Sequence, residues 1–228
     1  MRHITLGDEI AMKILIGYHQ RSGSTLLQHI LNAHSKVRSY SDANSLLVLP
    51  ALLAGYTPEE NICIKPMDTV FLGRPRLLYR RFDKFIWLAR DPRDSYLSAL
   101  EVGYAYGTSM WLPGKKLHGI DVGLLKRWQL VYRQYFKRRR RWHLVRYEDL
   151  VSDPDPVLHD LFEYLELPYE KVYPFEKFNL AAGGDPKLTK TKTIHRKSVQ
   201  RYKEKLSDLQ IRVFRKFLGK EMKALGYY

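Results

Sequence analysis

The sequence predicts an α/β domain of three layers, in which helices cover both faces of a central parallel sheet. Short apolar segments typical of buried strands alternate along the chain with longer segments of helical periodicity. Hydrophobic residues make up 45% of the 228 residues, which is enough for one sizeable core. No linker, repeat or low-complexity tract divides the chain. We therefore expect one domain over residues 1–228.

The predicted elements follow one another in the order that a parallel sheet requires. Strands are predicted over four segments, at 13–17, 61–65, 84–89 and 142–146. Helices are predicted at 24–33, 44–54, 93–101, 121–138, 155–165 and 207–225. In sheets of this kind ligands bind beyond the carboxyl ends of the strands. Residues that directly follow a predicted strand are therefore the first candidates for a functional site.

The first strand leads into a loop with the composition of a phosphate-binding site. The apolar run Ile14–Ile16 is followed by a turn of small residues, and a helix opens at Ser24 or Thr25. The unpaired N–H groups of a helix's first turn attract anions, and Gly23 permits a backbone conformation closed to other residues. A Walker loop carries a lysine directly after its second glycine, whereas here the cation is Arg21, two residues before Gly23. An ordinary strand–turn–helix connection with a serine cap is the alternative.

A second polar segment follows the predicted strand that ends at Ala89. Arg90 stands at the strand end, Pro92 suits the first turn of a helix, and Ser98 lies about two turns further on. An arginine can hold a phosphate group through two hydrogen bonds, and the serine can bond the same group. Alternatively, the charged residues from Arg90 to Asp94 form an exposed ion-pair cluster that contributes little to stability.

These two segments resemble the PAPS-dependent sulfotransferases, where PAPS is 3′-phosphoadenosine 5′-phosphosulfate. In that family a [KR]-S-G-[ST]-T loop binds the 5′-phosphosulfate, and a later R-D-P-R-D-x-x-x-S segment binds the 3′-phosphate. The later segment corresponds to Arg90 and Ser98. The loop corresponds to Arg21, Ser22, Gly23, Ser24 and Thr25.

Two further segments match the same family in the same order along the chain. Residues 144–150 resemble the family's strand with a tyrosine beside the adenine, which would be Tyr147. Arg196 and Lys197, followed by Ser198, stand in the place of the basic lid that closes on the nucleotide. The four matches together span most of the chain.

The resemblance implies a P-loop-like sulfotransferase fold and transfer of a sulfuryl group from PAPS to a hydroxyl acceptor without a metal. The motifs are most similar to those of tyrosylprotein and glycan sulfotransferases, in a soluble form of bacterial style. The acceptor hydroxyl would belong to a glycan, a small-molecule alcohol or phenol, or a tyrosine, and the basic chain suits an anionic acceptor. A P-loop small-molecule kinase and a basic nucleic-acid-binding protein are the alternative functions.

The resemblance also assigns catalytic roles. Arg21 and Lys65, the latter at the end of a predicted strand, are the cations that stabilise the oxygen of the departing phosphate. Asp42 stands where tyrosylprotein and glycan sulfotransferases carry a glutamate that takes the acceptor proton, and its shorter side chain reduces its reach. Asp68 and His19 are the other candidates for the base. A surface lysine at 65 and a helix cap at 42 are the alternatives.

The composition indicates anionic partners and a cytoplasmic protein. A net charge of +15 suits a ligand with several phosphates, an acidic acceptor, a nucleic acid or an anionic membrane surface. Much of this charge lies in the run 137–141, which alternatively is a solvated helix end. No apolar run is long enough to span a bilayer, the first residues do not form a signal peptide, and the single Cys63 cannot form an internal disulfide. The histidines show no metal-binding spacing.

The acceptor region is expected in an irregular segment over residues 102–120. Its glycines and its aromatic residues Tyr104, Tyr106 and Trp111 suit a mobile binding loop over the reacting centre. A packed surface loop is the alternative.

Overall fold

A five-stranded parallel sheet forms the centre of the computed structural model, which describes residues 11–40, 42–73, 75–102, 115–173 and 193–228 but not the side chains of residues 42 and 43. The strand order is β2-β3-β1-β4-β7. These strands are β1 (Lys13–Tyr18), β2 (Val37–Tyr40), β3 (Asn61–Ile64), β4 (Lys84–Ala89) and β7 (His143–Arg146). A separate antiparallel pair consists of β5 (Lys116–Leu117) and β6 (Ile120–Asp121). The predicted parallel sheet is confirmed, with β2 as an additional edge strand, and the β5–β6 pair was not predicted.

Every predicted helix is present, with each end within two residues of its expected position. These helices are α1 (Ser24–Ala33), α2 (Asp42–Ala54), α4 (Pro92–Glu101), α5 (Val122–Lys137), α7 (Pro154–Tyr164) and α9 (Asp208–Ala224). Three short helices join them, α3 (Leu78–Arg81), α6 (Tyr147–Ser152) and α8 (Tyr202–Lys205). Turns of 3₁₀ helix cover Asp68–Leu72 and Arg139–Arg141. Over the described ranges, no helix has the length and apolar composition needed to cross a bilayer.

The two faces of the sheet are buried against different helices. Successive residues of a strand point to opposite faces, so β1 and β4 each contribute to both sides. Ile14 and Ile86 pack against α1 and α7. Leu15 and Trp87 pack against α5 and α9. This arrangement is the three-layer α/β/α architecture that the alternation of strands and helices predicts.

An aromatic cluster fills the face of the sheet that α5 covers. The rings of Trp87 and Trp142 meet edge to face with their centroids 5.1 Å apart, and Phe71 and Phe85 pack against Trp142. A Cβ atom at Gly17 would lie 2.4 Å from the Trp87 ring and 2.8 Å from the Trp142 ring. Glycine at this position of β1 therefore allows both indoles to lie directly against the strand.

We expect Gly17→Ala to lower the free energy of unfolding by about 1–3 kcal/mol, because the new methyl group would push two buried rings out of their packing. Urea denaturation of the variant and the parent chain measures this difference. Gly219→Ala is the matched control, since the nearest atom to a Cβ at this position of α9 is 4.0 Å away. The control should be neutral or up to about 1 kcal/mol more stable. Equal stability of the parent chain and Gly17→Ala would contradict the packing argument.

Candidate active site

The predicted site residues follow the carboxyl ends of neighbouring strands. β1 continues into the segment that we call the phosphate loop (residues 19–25), and β3 is followed by Lys65. β4 is followed by Arg90, and β7 by Tyr147. Because all four strands are parallel, these residues lie at the same edge of the sheet.

The phosphate loop leaves the first turn of α1 without a side-chain cap. Helix α1 begins at Ser24, and its N-cap residue Gly23 has φ = 91°, in the left-handed region that favours glycine. Ser22 is fully buried, and its Oγ has no hydrogen-bond partner among the described residues. The serine-capped connection considered as an alternative is therefore not formed. The helix end and the buried hydroxyl together suit an anionic ligand.

Arg21 connects the phosphate loop to α4. Its backbone has φ = 65°, which is unusual for a residue with a side chain. Its Nε donates a hydrogen bond to Ser98 Oγ at 3.2 Å, and its carbonyl oxygen accepts one from Arg90 at 2.9 Å. These contacts hold the strained residue in place and bring three predicted site residues together.

Arg90 lies at the centre of the site. Only 4% of the residue is exposed, and its guanidinium carbon lies 4.3 Å from the centroid of the Tyr147 ring. Besides its bond to the loop, it donates to the carbonyl of Ser198 at 2.8 Å. Its Nε is buried and has no partner within the described part of the chain. One side chain thus connects the phosphate loop, Tyr147 of α6 and the backbone at Ser198, and its Nε–H group is available to a ligand.

Tyr147 fills the space between the phosphate loop and the C-terminal segment. A Cβ atom at Gly23 would lie 2.4 Å from its ring, so the tyrosine lies directly against the loop backbone. Its hydroxyl is 2.7 Å from Ser198 Oγ. The glycine of the loop is therefore required both by its own backbone conformation and by this ring.

The acidic residues after Arg90 are buried and structural, so the alternative of an exposed ion-pair cluster is wrong. Asp91 caps α4 by accepting the N–H of Arg93 at 2.9 Å, and it pairs with the Arg93 guanidinium at 2.6 Å. The carboxylate of Asp94 accepts backbone N–H groups of Gln200 at 2.6 Å and Tyr202 at 3.0 Å. Asp94 thereby fixes the segment that we call the lid turn (residues 196–202).

A second set of contacts ties the C-terminus to the same motif. Arg93 lies 3.7 Å from the centroid of the Tyr202 ring and donates to the carbonyl of Tyr227 at 3.1 Å. Glu148 accepts the N–H of Asp91 and the hydroxyl of Tyr227 through its two oxygens. Burial raises the pKa of Glu148 and that of Asp94.

In the lid turn, Ser198 rather than its basic neighbours makes the contacts to the site. Arg196 and Lys197 are exposed, and the N–H of Val199 donates to the carbonyl of Arg196 at 3.0 Å to close the turn. The two basic side chains thus flank a serine whose carbonyl and hydroxyl contact Arg90 and Tyr147.

Lys65 is a buried cation at the end of β3. Only 1% of the residue is exposed, so the alternative of a surface lysine is wrong. Its Nζ lies 5.2 Å from the centroid of the Tyr18 ring. Burial and the charge of Lys65 together lower the pKa of His29 to about 4. The positive charge of Lys65 therefore disfavours protonation of a neighbouring histidine of α1.

The three candidates for the base lie in different surroundings. Asp42 is the first residue of α2, and its side chain is outside the described residues. Asp68 is buried, pairs with Arg127 at 2.7 Å and accepts the N–H of Gln20 at 3.2 Å, so it supports the phosphate loop. His19 is fully buried, and its Nε2 is 3.0 Å from Ser95 Oγ. Both Asp68 and His19 are therefore withdrawn from solvent.

The remaining expectations concern the acceptor loop and metal binding. Residues 103–114, which include Tyr104, Tyr106 and Trp111, lie outside the described residues. Across the ranges that are described, no three histidine, cysteine or acidic side chains are grouped so as to hold a metal ion.

Sequence reasoning missed Asp94, Glu148 and Tyr227. The signals were the second aspartate of the Arg90–Asp94 motif and the glutamate that follows Tyr147. Both carboxylates bind partners that are far away in the sequence, so spacing alone did not reveal their role.

One protein-family model matches part of the chain. Residues 81–171 match the family described as "Sulfotransferase family", a range that contains Arg90, Ser98 and Tyr147 but not the phosphate loop. No curated protein matches the chain.

Solved sulfotransferase structures share the fold over nearly the whole chain. The sulfotransferase domain of the curacin biosynthetic pathway has a TM-score of 0.67 and 18% identity, covering 97% of this chain and 99% of its own. The sulfotransferase domain of the Synechococcus PCC 7002 olefin synthase has a TM-score of 0.61 and 17% identity, covering 95% of this chain and 98% of its own. Mouse sulfotransferase SULT7A1 was crystallised with PAP, the desulfated product of PAPS. It has a TM-score of 0.61 and 16% identity, covering 93% of this chain and 84% of its own.

The buried His19 predicts a specific loss of stability in acid. Burial and the charge of Arg90 lower its pKa from 6.5 to about 3. Below pH 6.5 the unfolded chain binds a proton that the folded chain refuses until about pH 3. Each unit of pH decrease in this window therefore lowers the free energy of unfolding by up to about 1.4 kcal/mol.

We expect His19→Gln to reduce the number of protons taken up on unfolding by nearly one, and therefore to flatten the dependence of the free energy of unfolding on pH. Urea unfolding at pH 6.5, 5.5 and 4.5 gives the slope for each variant. His159→Gln is the control, since His159 is exposed on α7. An unchanged slope in His19→Gln would show that His19 does not remain neutral in the folded chain.

Proposed function

We propose that this chain is a sulfotransferase and that it transfers a sulfuryl group from PAPS to the hydroxyl oxygen of an acceptor. The bond between sulfur and the bridging oxygen of the 5′-phosphate breaks, and a bond between sulfur and the acceptor oxygen forms. The acceptor proton passes to a base, and PAP is the second product. The observation that carries the proposal is the position of Arg90 between the phosphate loop and the lid turn.

The residues present fit a nucleotide with anionic groups at both ends. At the 5′ end, the open first turn of α1 and the unpartnered Ser22 hydroxyl suit a phosphosulfate. At the 3′ end, the unpartnered Nε of Arg90 and the hydroxyl of Ser98 suit the 3′-phosphate. The ring of Tyr147 adds an aromatic face between the two positions, which is consistent with an adenine nearby.

The catalytic task of the chain is positioning and charge stabilisation. Sulfuryl transfer resembles phosphoryl transfer in passing through a loose, in-line transition state. Bound PAPS supplies the activated sulfuryl group. Negative charge develops on the bridging oxygen, and Arg21 and Lys65 stabilise it together with the N–H groups of α1. Both side chains are held in position before the reaction, because Lys65 is enclosed by its neighbours and Arg21 is bonded to Ser98.

Asp42 takes the acceptor proton in this proposal. It opens α2 at the same edge of the sheet as the phosphate loop, because β2 ends at Tyr40. Asp68 is paired with Arg127, and His19 is fully buried at the start of the loop. The acceptor is a hydroxyl of a glycan, a small-molecule alcohol or phenol, or a tyrosine.

Arg90→Ala should weaken PAP binding about 10- to 100-fold and AMP binding less than about threefold, since only PAP carries the 3′-phosphate. Isothermal titration with both nucleotides measures the two affinities, and Arg90→Lys tests whether charge alone suffices. The control is Arg212→Ala, an exposed arginine on α9.

Equal losses for PAP and AMP would remove Arg90 from the 3′-phosphate site. A thermal-shift series on the parent chain with PAP, AMP, ATP–Mg and an oligonucleotide tests the function itself. Tighter binding of ATP–Mg would indicate a kinase, and preference for the oligonucleotide would indicate a nucleic-acid-binding protein.

Asp42→Asn should lower turnover at least about 100-fold while PAP affinity changes less than about twofold, because the base acts only on the acceptor. Transfer of labelled sulfate from PAPS into pools of glycans, phenols, lipid alcohols and tyrosine peptides identifies the acceptor and gives the rate. Asp42→Glu should recover part of the turnover. Asp68→Asn should instead lower stability, because it breaks a buried ion pair. Normal turnover in Asp42→Asn would assign the proton to another group.

A further inference from the structure

A cluster of basic side chains lies at the amino edge of the sheet, opposite the candidate active site. The guanidinium of Arg138 lies 4.3 Å from the centroid of the Tyr79 ring, and that of Arg141 lies 4.6 Å from the centroid of Phe85, the second residue of β4. These stacks bring α3 and the 3₁₀ turn before β7 together. The resulting arginine patch consists of Arg76, Arg80, Arg81, Lys137, Arg138, Arg139, Arg140 and Arg141.

The charge of the arginine patch is not neutralised locally. None of its members forms an ion pair with a carboxylate in the described part of the chain. The segments 75–82 and 137–142 contain no acidic residue. All members except the half-buried Arg138 are exposed. Such a surface attracts an extended anion rather than serving as an internal salt-bridge network.

Helix α2 adds an exposed apolar face. Leu47 is 79% exposed, and Pro50, Ala51 and Ala54 follow it at the spacing of one helical face and are exposed as well. No charged residue follows Asp42 within this helix. The opposite side of α2 packs into the core through residues 49 and 52. A helix at a protein surface normally carries polar residues on its outer face. The apolar α2 outer face (Leu47, Pro50, Ala51 and Ala54) is therefore typical of a surface that binds an apolar partner.

The α2 outer face and the arginine patch are contiguous. A guanidinium nitrogen of Arg81 lies 3.7 Å from the position of a Cβ on Gly55, directly after α2, and the next residue, Tyr56, is 57% exposed. Leu77 is 58% exposed and stands three and four residues before Arg80 and Arg81, on the same side of α3. Exposed apolar side chains therefore lie directly beside arginines.

We propose that this combined surface docks on an anionic lipid bilayer, with the arginines at the headgroups and the leucines in the boundary of the acyl chains. A nucleic acid, or an acidic protein without an apolar surface of its own, would pair with the arginines but would leave Leu47 of α2 and Leu77, which precedes α3, in water. An anionic membrane satisfies both, because its charged surface and its apolar interior are adjacent. The arginine patch is separate from the nucleotide residues, since the six residues of β4 place about 20 Å between the two edges of the sheet.

Vesicle sedimentation with the full chain tests the proposal without PAPS or acceptor. The parent chain should bind vesicles of phosphatidylcholine with 30% phosphatidylserine, and should bind pure phosphatidylcholine vesicles at least about tenfold less. Each basic side chain at an anionic surface contributes about a fivefold factor, so Arg80→Glu with Arg140→Glu should reduce partitioning at least about twentyfold. Lys220→Glu with Lys223→Glu is the charge-matched control, because both lysines are exposed on the last turns of α9, which leads to Tyr227 at the other edge of the sheet.

The leucines distinguish a bilayer from other polyanions. Leu47→Ser with Leu77→Ser should lower binding to the anionic vesicles about tenfold and should remove the binding that persists in 0.5 M NaCl, since salt screens charge but not apolar insertion. Circular dichroism and PAP affinity should be unchanged in all variants, which shows that the fold and the nucleotide site are intact. Leucine variants that bind vesicles like the parent chain, or a DNA duplex that binds more tightly than the vesicles, would overturn the proposal.

Discussion

The burial of one guanidinium, that of Arg90, is the constraint on which the rest of the site depends. Withdrawing this charge from water is costly, and the structure offsets the cost with two backbone carbonyls and the face of the Tyr147 ring rather than with a direct carboxylate partner. The charge spreads into its surroundings, where it contributes to the lowered pKa of His19 and counteracts the effect of burial on Asp94 and Glu148. A buried cation bonded mainly to neutral groups keeps its affinity for an anion. The same two carbonyls belong to the phosphate loop and the lid turn, so the position of the charge and the position of the backbone are set together.

The motif that begins at Arg90 performs two tasks on opposite sides of one helix start. Arg90 and Ser98 face the phosphate loop, whereas Asp91, Arg93 and Asp94 are used to hold the C-terminal segment. The carboxylate of Asp94 accepts two backbone N–H groups, and such charge-assisted bonds are stronger than neutral ones. Glu148 continues this support from α6 to Tyr227. The acids therefore act through the backbone of the lid turn, and a loss at any of them is transmitted to the carbonyl that Arg90 binds.

The sequence was most informative where a physical signal is local. The strands at 13–17 and 84–89 were predictable from apolar runs, and the phosphate loop and Arg90 from motifs that directly follow these runs. β2 was missed because Val37–Tyr40 contains a single buried apolar residue and an exposed arginine. The pairs Asp94–Gln200 and Asp68–Arg127 join residues that are 106 and 59 positions apart, and a single sequence carries no signal for such contacts. Lys65 was identified by its place at a strand end, but its near-complete burial is a property of the packing around β3.

The net charge of +15 combines two kinds of cation with different physical consequences. Lys65, Arg90 and Arg127 are buried, and their interactions with neighbouring rings, carbonyls or carboxylates are short and poorly screened by salt. The arginine patch is exposed, and its field decays over about 10 Å at moderate ionic strength. Chemistry at the carboxyl edge should therefore depend little on salt, while association through the amino edge should depend on it strongly. The fold separates these two groups of cations by the length of its strands, so the exposed arginines can be changed without disturbing Arg90 and the phosphate loop.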